Sequence, residues 1–160
     1  MLTSSDTHPN HKLLESFYEA FSRRDFETMN KIYDPENAFF YDPVFQNLNA
    51  RDVRKMWKML CLRGKDLTIS YQVLSADDHS GKARWDAHYT FSGTGKKVVN
   101  RVKSDFVFKN GLVTNQKDEF DLYGWCKQAF GIIGWCLGWT SWFKSKLRDR
   151  AKLSLDQFNG

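Results

Sequence analysis

Cysteine is scarce in this sequence, and what there is does not pair. Cys61, Cys126 and Cys136 are three in number, too few and too odd for a disulfide framework, and they suit a reducing compartment. No Pro-rich or Gly/Ser-rich linker and no internal repeat divides the 160 residues, so one domain spanning 1–160 is expected. Met1–Asp6 lacks a basic region followed by an apolar run. No signal peptide is therefore expected, and the expected location is cytoplasmic. His8 and His11 stand at i, i+3 with no carboxylate or cysteine at ligand spacing, so no metal site is expected. Gly93-Thr94-Gly95-Lys96 lacks the spacing of a phosphate loop, and there is no nucleophile elbow. No cofactor is expected.

Aromatic residues, by contrast, are plentiful. Thirteen Phe, six Trp and six Tyr exceed what a plain core needs, and an aromatic-lined cavity is one use for the surplus. Net charge is +5, unevenly spread. Residues 139–160 carry five cations (Lys144, Lys146, Arg148, Arg150, Lys152) against Asp149 and Asp156. Such a helix is a solvated face or a site for anionic lipid. It lacks interleaved stacking aromatics, so nucleic acid is not an expected partner.

Leu13, Leu14, Phe17, Tyr18 and Phe21 repeat at helical spacing. Asp25 reads as the cap of a second short helix, and Asn49 as the cap of a third with Val53, Met56, Trp57 and Leu60 inward. Gly64 follows the third helix, where glycine suits a left-handed cap. The period then changes to two. Strands are expected over 67–73, 83–91, 98–108 and 112–122, the last two joined by Asn110-Gly111, a hairpin signal. Helices before an antiparallel meander predict an α+β layer fold. Leu122–Phe143 is rich in Trp and Gly, but Lys127 and Gln128 interrupt it, and the uncharged run Gln128–Phe143 is short for a bilayer span. The expectation is helices broken near the glycines and folded over the sheet.

Three stretches carry a family resemblance. Phe17-Tyr18-Glu19-Ala20-Phe21 with Arg24-Asp25-Phe26, Ala38–Phe45 with its Asp42-Pro43, and Asp105–Val113 together resemble SnoaL-like and ketosteroid isomerase-like proteins of the nuclear transport factor 2-like superfamily. The resemblance covers residues 10–122. It implies a cone-shaped, cystatin-like α+β fold in which a curved antiparallel sheet wraps the N-terminal helices around a pocket for a small apolar molecule. Residues 123–160 would be a helical extension. It also implies frequent homodimers. It does not fix an activity, because the fold hosts isomerases, cyclases, hydrolases and non-catalytic binders.

Asp42 matches the aspartate that moves a proton beside a carbonyl in ketosteroid isomerases; the alternative is an Asp-Pro turn in which Asp caps its own backbone. The matching oxyanion tyrosine falls on Phe17, with Tyr18 about 100° away around the helix, and Ser104 falls where a second acid should be. Steroid isomerisation itself is therefore disfavoured. Asp118 shares a strand face with Phe120 and Leu122 and could form an acid/base pair with Asp42. Arg84 and Arg101 alternate away from that face, so the Asp-Arg-Asp set of the superfamily's epoxide hydrolases is not secured. Trp57, Tyr71, Trp85, Tyr89, Phe106 and Phe108, with Phe17, Tyr18 and Ser104, are pocket walls or plain core. Three readings stand: a cofactor-free acid/base enzyme, a binder of an apolar ligand, and a membrane-surface protein attached through residues 122–152.

Overall fold

The computed structural model describes residues 7–160; Met1–Asp6, on which the signal-peptide expectation rests, lies outside the described residues. Pro9 opens helix α1 (Pro9–Ser22), where its missing N–H costs nothing, and the His8 ring accepts from the Asn10 amide at 3.1 Å. Leu14, Phe17, Tyr18 and Phe21 are buried along one face. Asp25 caps α2 (Phe26–Asn30) by accepting from the Thr28 amide at 3.1 Å. Asn49 caps α3 (Ala50–Arg63) through the Asp52 amide at 2.9 Å. Both caps were legible because each acts within three residues of itself. Gly64 needs a correction. Its φ is −79°, not left-handed. Glycine is required there for room, since a Cβ would stand 2.9 Å from the Leu60 carbonyl oxygen.

The sheet has six strands. β1 (Phe39–Tyr41) and β2 (Leu48–Asn49) are short; β3 (Thr68–Ala76), β4 (Ser80–Phe91), β5 (Lys96–Lys109) and β6 (Leu112–Glu119) form the meander, in spatial order β2-β1-β6-β5-β4-β3. Asn110 and Gly111, at φ 53° and 75°, turn β5 into β6 as that dipeptide predicts. β1 runs parallel to β6, pairing Phe40 with Gln116 and Tyr41 with Lys117, while every other pairing is antiparallel. The sheet is curved and unclosed. α1 and α3 pack into it, and their rings meet those of β4 and β5 in the main core.

The last strand stops earlier than the sequence suggested. It ends at Glu119 rather than Leu122, because Asp121 accepts from the Gly124 amide at 2.9 Å and starts α4 (Leu122–Phe130). Leu122, Trp125, Cys126 and Ala129 of α4 cover Val98 of β5 in a second core. Gly131, at φ 59°, breaks the chain into α5 (Ile132–Leu137), and Thr140 caps α6 (Ser141–Asp156). α6 crosses back to α3, where Leu155 enters the main core and Arg63 Nη1 donates to Ser154 Oγ at 2.6 Å. No helix among the described residues is long and apolar enough to cross a membrane.

Candidate active site

The register of β1 against β6 brings two distant acids together. Tyr41 pairs with Lys117, so the next positions, Asp42 and Asp118, come side by side at the end of the ladder. Asp118 follows Gln116 by two residues, and both point inward and are fully buried.

Asp118 is the end of a one-way chain of donors. Trp57 Nε1 donates to the Tyr33 hydroxyl (2.7 Å), which donates to Gln116 Oε1 (2.5 Å); Gln116 Nε2 then donates to Asp118 Oδ1 (3.0 Å). From the other side, Trp85 Nε1 donates to Ser104 Oγ (2.9 Å), which donates to the same Asp118 Oδ1 (2.5 Å). Burial pushes the Asp118 carboxyl up to about 7, against the pull of the Ser104 and Gln116 bonds; the charge of Asp42 adds to the rise. The Tyr18 hydroxyl is near enough to feel Asp118 and Ser104, yet among the described residues it has no well-aligned partner. Burial, then the Asp118 charge, hold its proton on.

Asp42 satisfies both of its sequence readings. Its Oδ1 accepts from the Val44 and Phe45 amides at 2.7 and 2.5 Å, which is the Asp-Pro turn. Burial nevertheless raises it to about 6, with those two bonds opposing. Arg148 Nε, from α6, reaches the same turn and donates to the Pro43 carbonyl at 2.9 Å. Val44 packs into the second core beside Phe143 and Leu147. The C-terminal helices therefore cover the rim on which Asp42 sits.

The expected hollow takes a different form. Phe17, Tyr18, Trp57 and Phe106 are at most 2% exposed, and Trp85 is 7% exposed, so the space between helices and sheet is filled. Their rings meet edge to face, Phe17 with Trp57 at 5.7 Å and Phe17 with Tyr18 at 5.0 Å. Tyr71 stacks on Tyr18 at 5.4 Å from a half-exposed position. Two clefts lie at the edges of this core. One, of about 480 Å³, has Phe108 in its wall beside His8, Asp78 and the Asn110-Gly111 turn. The other, of about 270 Å³, is walled by Tyr89 with Asp66, His88 and Val98. Tyr89 links this second cleft to the acids: its hydroxyl accepts from Trp125 Nε1 at 2.7 Å, and the charge of Asp42 contributes to its raised pKa, after burial.

Arg84 is held outside by Gln72 (2.6 Å) and Arg101 by Asp86 (3.7 Å), as their alternation implied. Gln116, Tyr33 as a hydrogen-bond relay, and Trp125 are members that the sequence reading did not assign to the site. A signal for Gln116 existed: it is a polar residue two positions from Asp118 on an inward face. Removing the Ser104 hydroxyl strips Asp118 of one donor and the Trp85 indole of its acceptor. Ser104→Ala is therefore expected to cost about 1–3 kcal/mol and to raise the Asp118 carboxyl further, which carbon-13 NMR of that carboxyl would follow.

A family model described as SnoaL-like domain matches residues 14–116. Solved structures with similar folds include a candidate polyketide cyclase from Xanthomonas campestris pv. campestris, at 18% identity and TM-score 0.63, covering 76% of this chain and 96% of that one. An epoxide hydrolase of M. tuberculosis is similar at 16% identity and TM-score 0.59, covering 81% and 96%. A nuclear transport factor 2-like protein of unknown function from Burkholderia pseudomallei is similar at 15% identity and TM-score 0.61, covering 72% and 92%. These likenesses establish the fold. No curated protein matches the chain.

Proposed function

The chain belongs to the SnoaL-like family, and on that footing we propose that it binds a small apolar molecule and moves a proton on it without a cofactor. One observation carries this reading: two adjacent inward carboxyls are both raised, Asp42 to about 6 and Asp118 to about 7. Near neutral pH the first is mostly ionised and the second about half protonated, so one can accept a proton while the other offers one. Asp42 is the proposed base and Asp118 the proposed acid. Tyr18, with a hydroxyl near Asp118 and no aligned partner among the described residues, is placed to donate to an oxygen that gains charge. Access is proposed from the 270 Å³ cleft, past Tyr89, because Tyr89 both walls that cleft and senses Asp42. A homodimer and a cytoplasmic location belong to the same proposal, on the family likeness and the cysteine usage.

The reading is tested with apolar cyclic ketones and epoxides. Exchange of ketone α-protons in deuterated water, followed by NMR, reports proton abstraction; diol formation reports water addition. Asp42→Asn is expected to lower the productive reaction at least a hundredfold while leaving the ligand-induced rise in melting temperature intact. A rise in melting temperature without either reaction would leave a non-catalytic binder. No ligand response from any probe would end the proposal.

A further inference from the structure

The surface built by α5 and the turn into α6 is inverted relative to an ordinary helix face. Its small residues face the protein and its large ones face out. Gly134 lies so tightly against α4 that a Cβ would stand 1.9 Å from the Cys126 carbonyl oxygen. At Gly138 a Cβ would stand 2.7 Å from Cys126 Cβ. With glycine seated inward, Ile132, Ile133, Trp135, Leu137, Trp139 and Trp142 are left outside, from 39% exposed at Leu137 to 82% at Ile132. Scattered exposed apolar side chains need no explanation, but six large ones within eleven consecutive residues do.

The charge around this surface has one sign. From Leu122 to Arg148 the chain contains no Asp or Glu. Lys127 places its ammonium 4.6 Å from the ring centroids of both Tyr123 and Trp135, at the edge of the apolar patch. Lys144 and Lys146 lie one turn beyond Trp142. Lys96, from β5, has its Nζ 3.4 Å from where a Gly131 Cβ would be, at the α4–α5 joint. The carboxylate at the border, Asp121, is engaged by the Gly124 amide.

We propose that this face docks on an anionic phospholipid surface, with the exposed Trp and Ile side chains entering the headgroup layer and the lysines meeting lipid phosphates. Tryptophan suits the boundary between water and hydrocarbon, and lysines beside it add attraction to negative headgroups. A second copy of the chain fits worse. A two-fold interface sets a patch against itself, and here that brings Lys127, Lys144 and Lys146 toward their own images with no carboxylate between Leu122 and Arg148 to answer them. The proposal is independent of the acid pair, which lies in the interior.

The test uses the full chain with vesicles of phosphatidylcholine, pure or mixed with phosphatidylglycerol. Three exposed tryptophans, Trp135, Trp139 and Trp142, report directly on insertion, while Trp57, Trp85 and Trp125 are buried. The expected result is cosedimentation with the anionic vesicles at low salt, a blue shift of tryptophan emission, and quenching by brominated acyl chains. Lys144→Gln with Lys146→Gln is expected to weaken partitioning about fivefold per charge. Ile132→Ser with Trp135→Ser and Trp139→Ser is expected to reduce it at least tenfold. Absence of binding to anionic vesicles at low salt overturns the proposal. So does equal binding by the serine variant with unchanged circular dichroism. Concentration-dependent dimerisation that the serine variant abolishes, with no vesicle binding, reassigns the face to self-association.

Discussion

Asp118→Asn is expected to flatten the pH dependence of stability between the ordinary carboxylate range and neutrality. In the folded protein the Asp118 carboxyl holds its proton up to about 7, against 3.8 for a free aspartate. The native state therefore binds this proton more tightly than the unfolded chain. Stability on this account is greatest below 3.8, falls as pH rises, and reaches its full loss above about 7. The rise corresponds to about 4 kcal/mol across that window, an upper figure for so buried a group. Asparagine keeps an oxygen to accept from Ser104 and Gln116 but cannot ionise. Its amide nitrogen adds a roughly constant cost of about 1–3 kcal/mol if left without a partner. The wild-type and variant curves should thus converge or cross at low pH and separate by several kcal/mol in slope above it. Denaturant unfolding at a series of pH values reads this directly. Parallel curves would mean that the buried carboxyl titrates normally, and the acid/base proposal would lose its basis.

The second large effect is expected at Gly134. Adding a methyl there sets a carbon 1.9 Å from a backbone oxygen of α4, and neither helix can give by a side-chain rotation alone. Gly134→Ala is expected to lift α5 off α4 at a local cost of about 3 kcal/mol. Cys126 is fully buried in the wild-type protein, while Cys136 is exposed. Thiol labelling should therefore modify one cysteine rapidly in the wild type and two in the variant, with Cys126 reacting about a hundredfold faster than before. Unchanged protection of Cys126 would show that the joint adapts.

Local devices account for what was readable beforehand. Asp25, Asn49 and Asp121 each cap a helix three residues or fewer away, and Asn110-Gly111 sets its own turn. The nuclear transport factor 2-like fold follows from such pieces in order. The alternation that turned Arg84 and Arg101 outward also held, since it depends on pleat alone. What failed needed long-range knowledge. Tyr18 was read as rotated off the site, yet α1 is buried across a face wide enough for Phe17 and Tyr18 alike. The hollow was inferred from an aromatic surplus, whereas packing places those rings against one another. The Trp57–Tyr33–Gln116–Asp118 relay joins α3, the chain after α2, and β6, and no periodicity in any one segment announces it.

The parallel pairing of β1 with β6 has a temporal consequence. During synthesis Asp42 emerges long before Asp118, with all of α3 and three strands made in between. Until the final strand threads in beside the first, Asp42 is a lone turn residue with an everyday acidity, and no proton relay exists. A chain nicked anywhere along that interval and stripped of β6 would keep most of its helices and lose the acid pair outright, so any activity this pair supports arrives all at once, as the last act of folding.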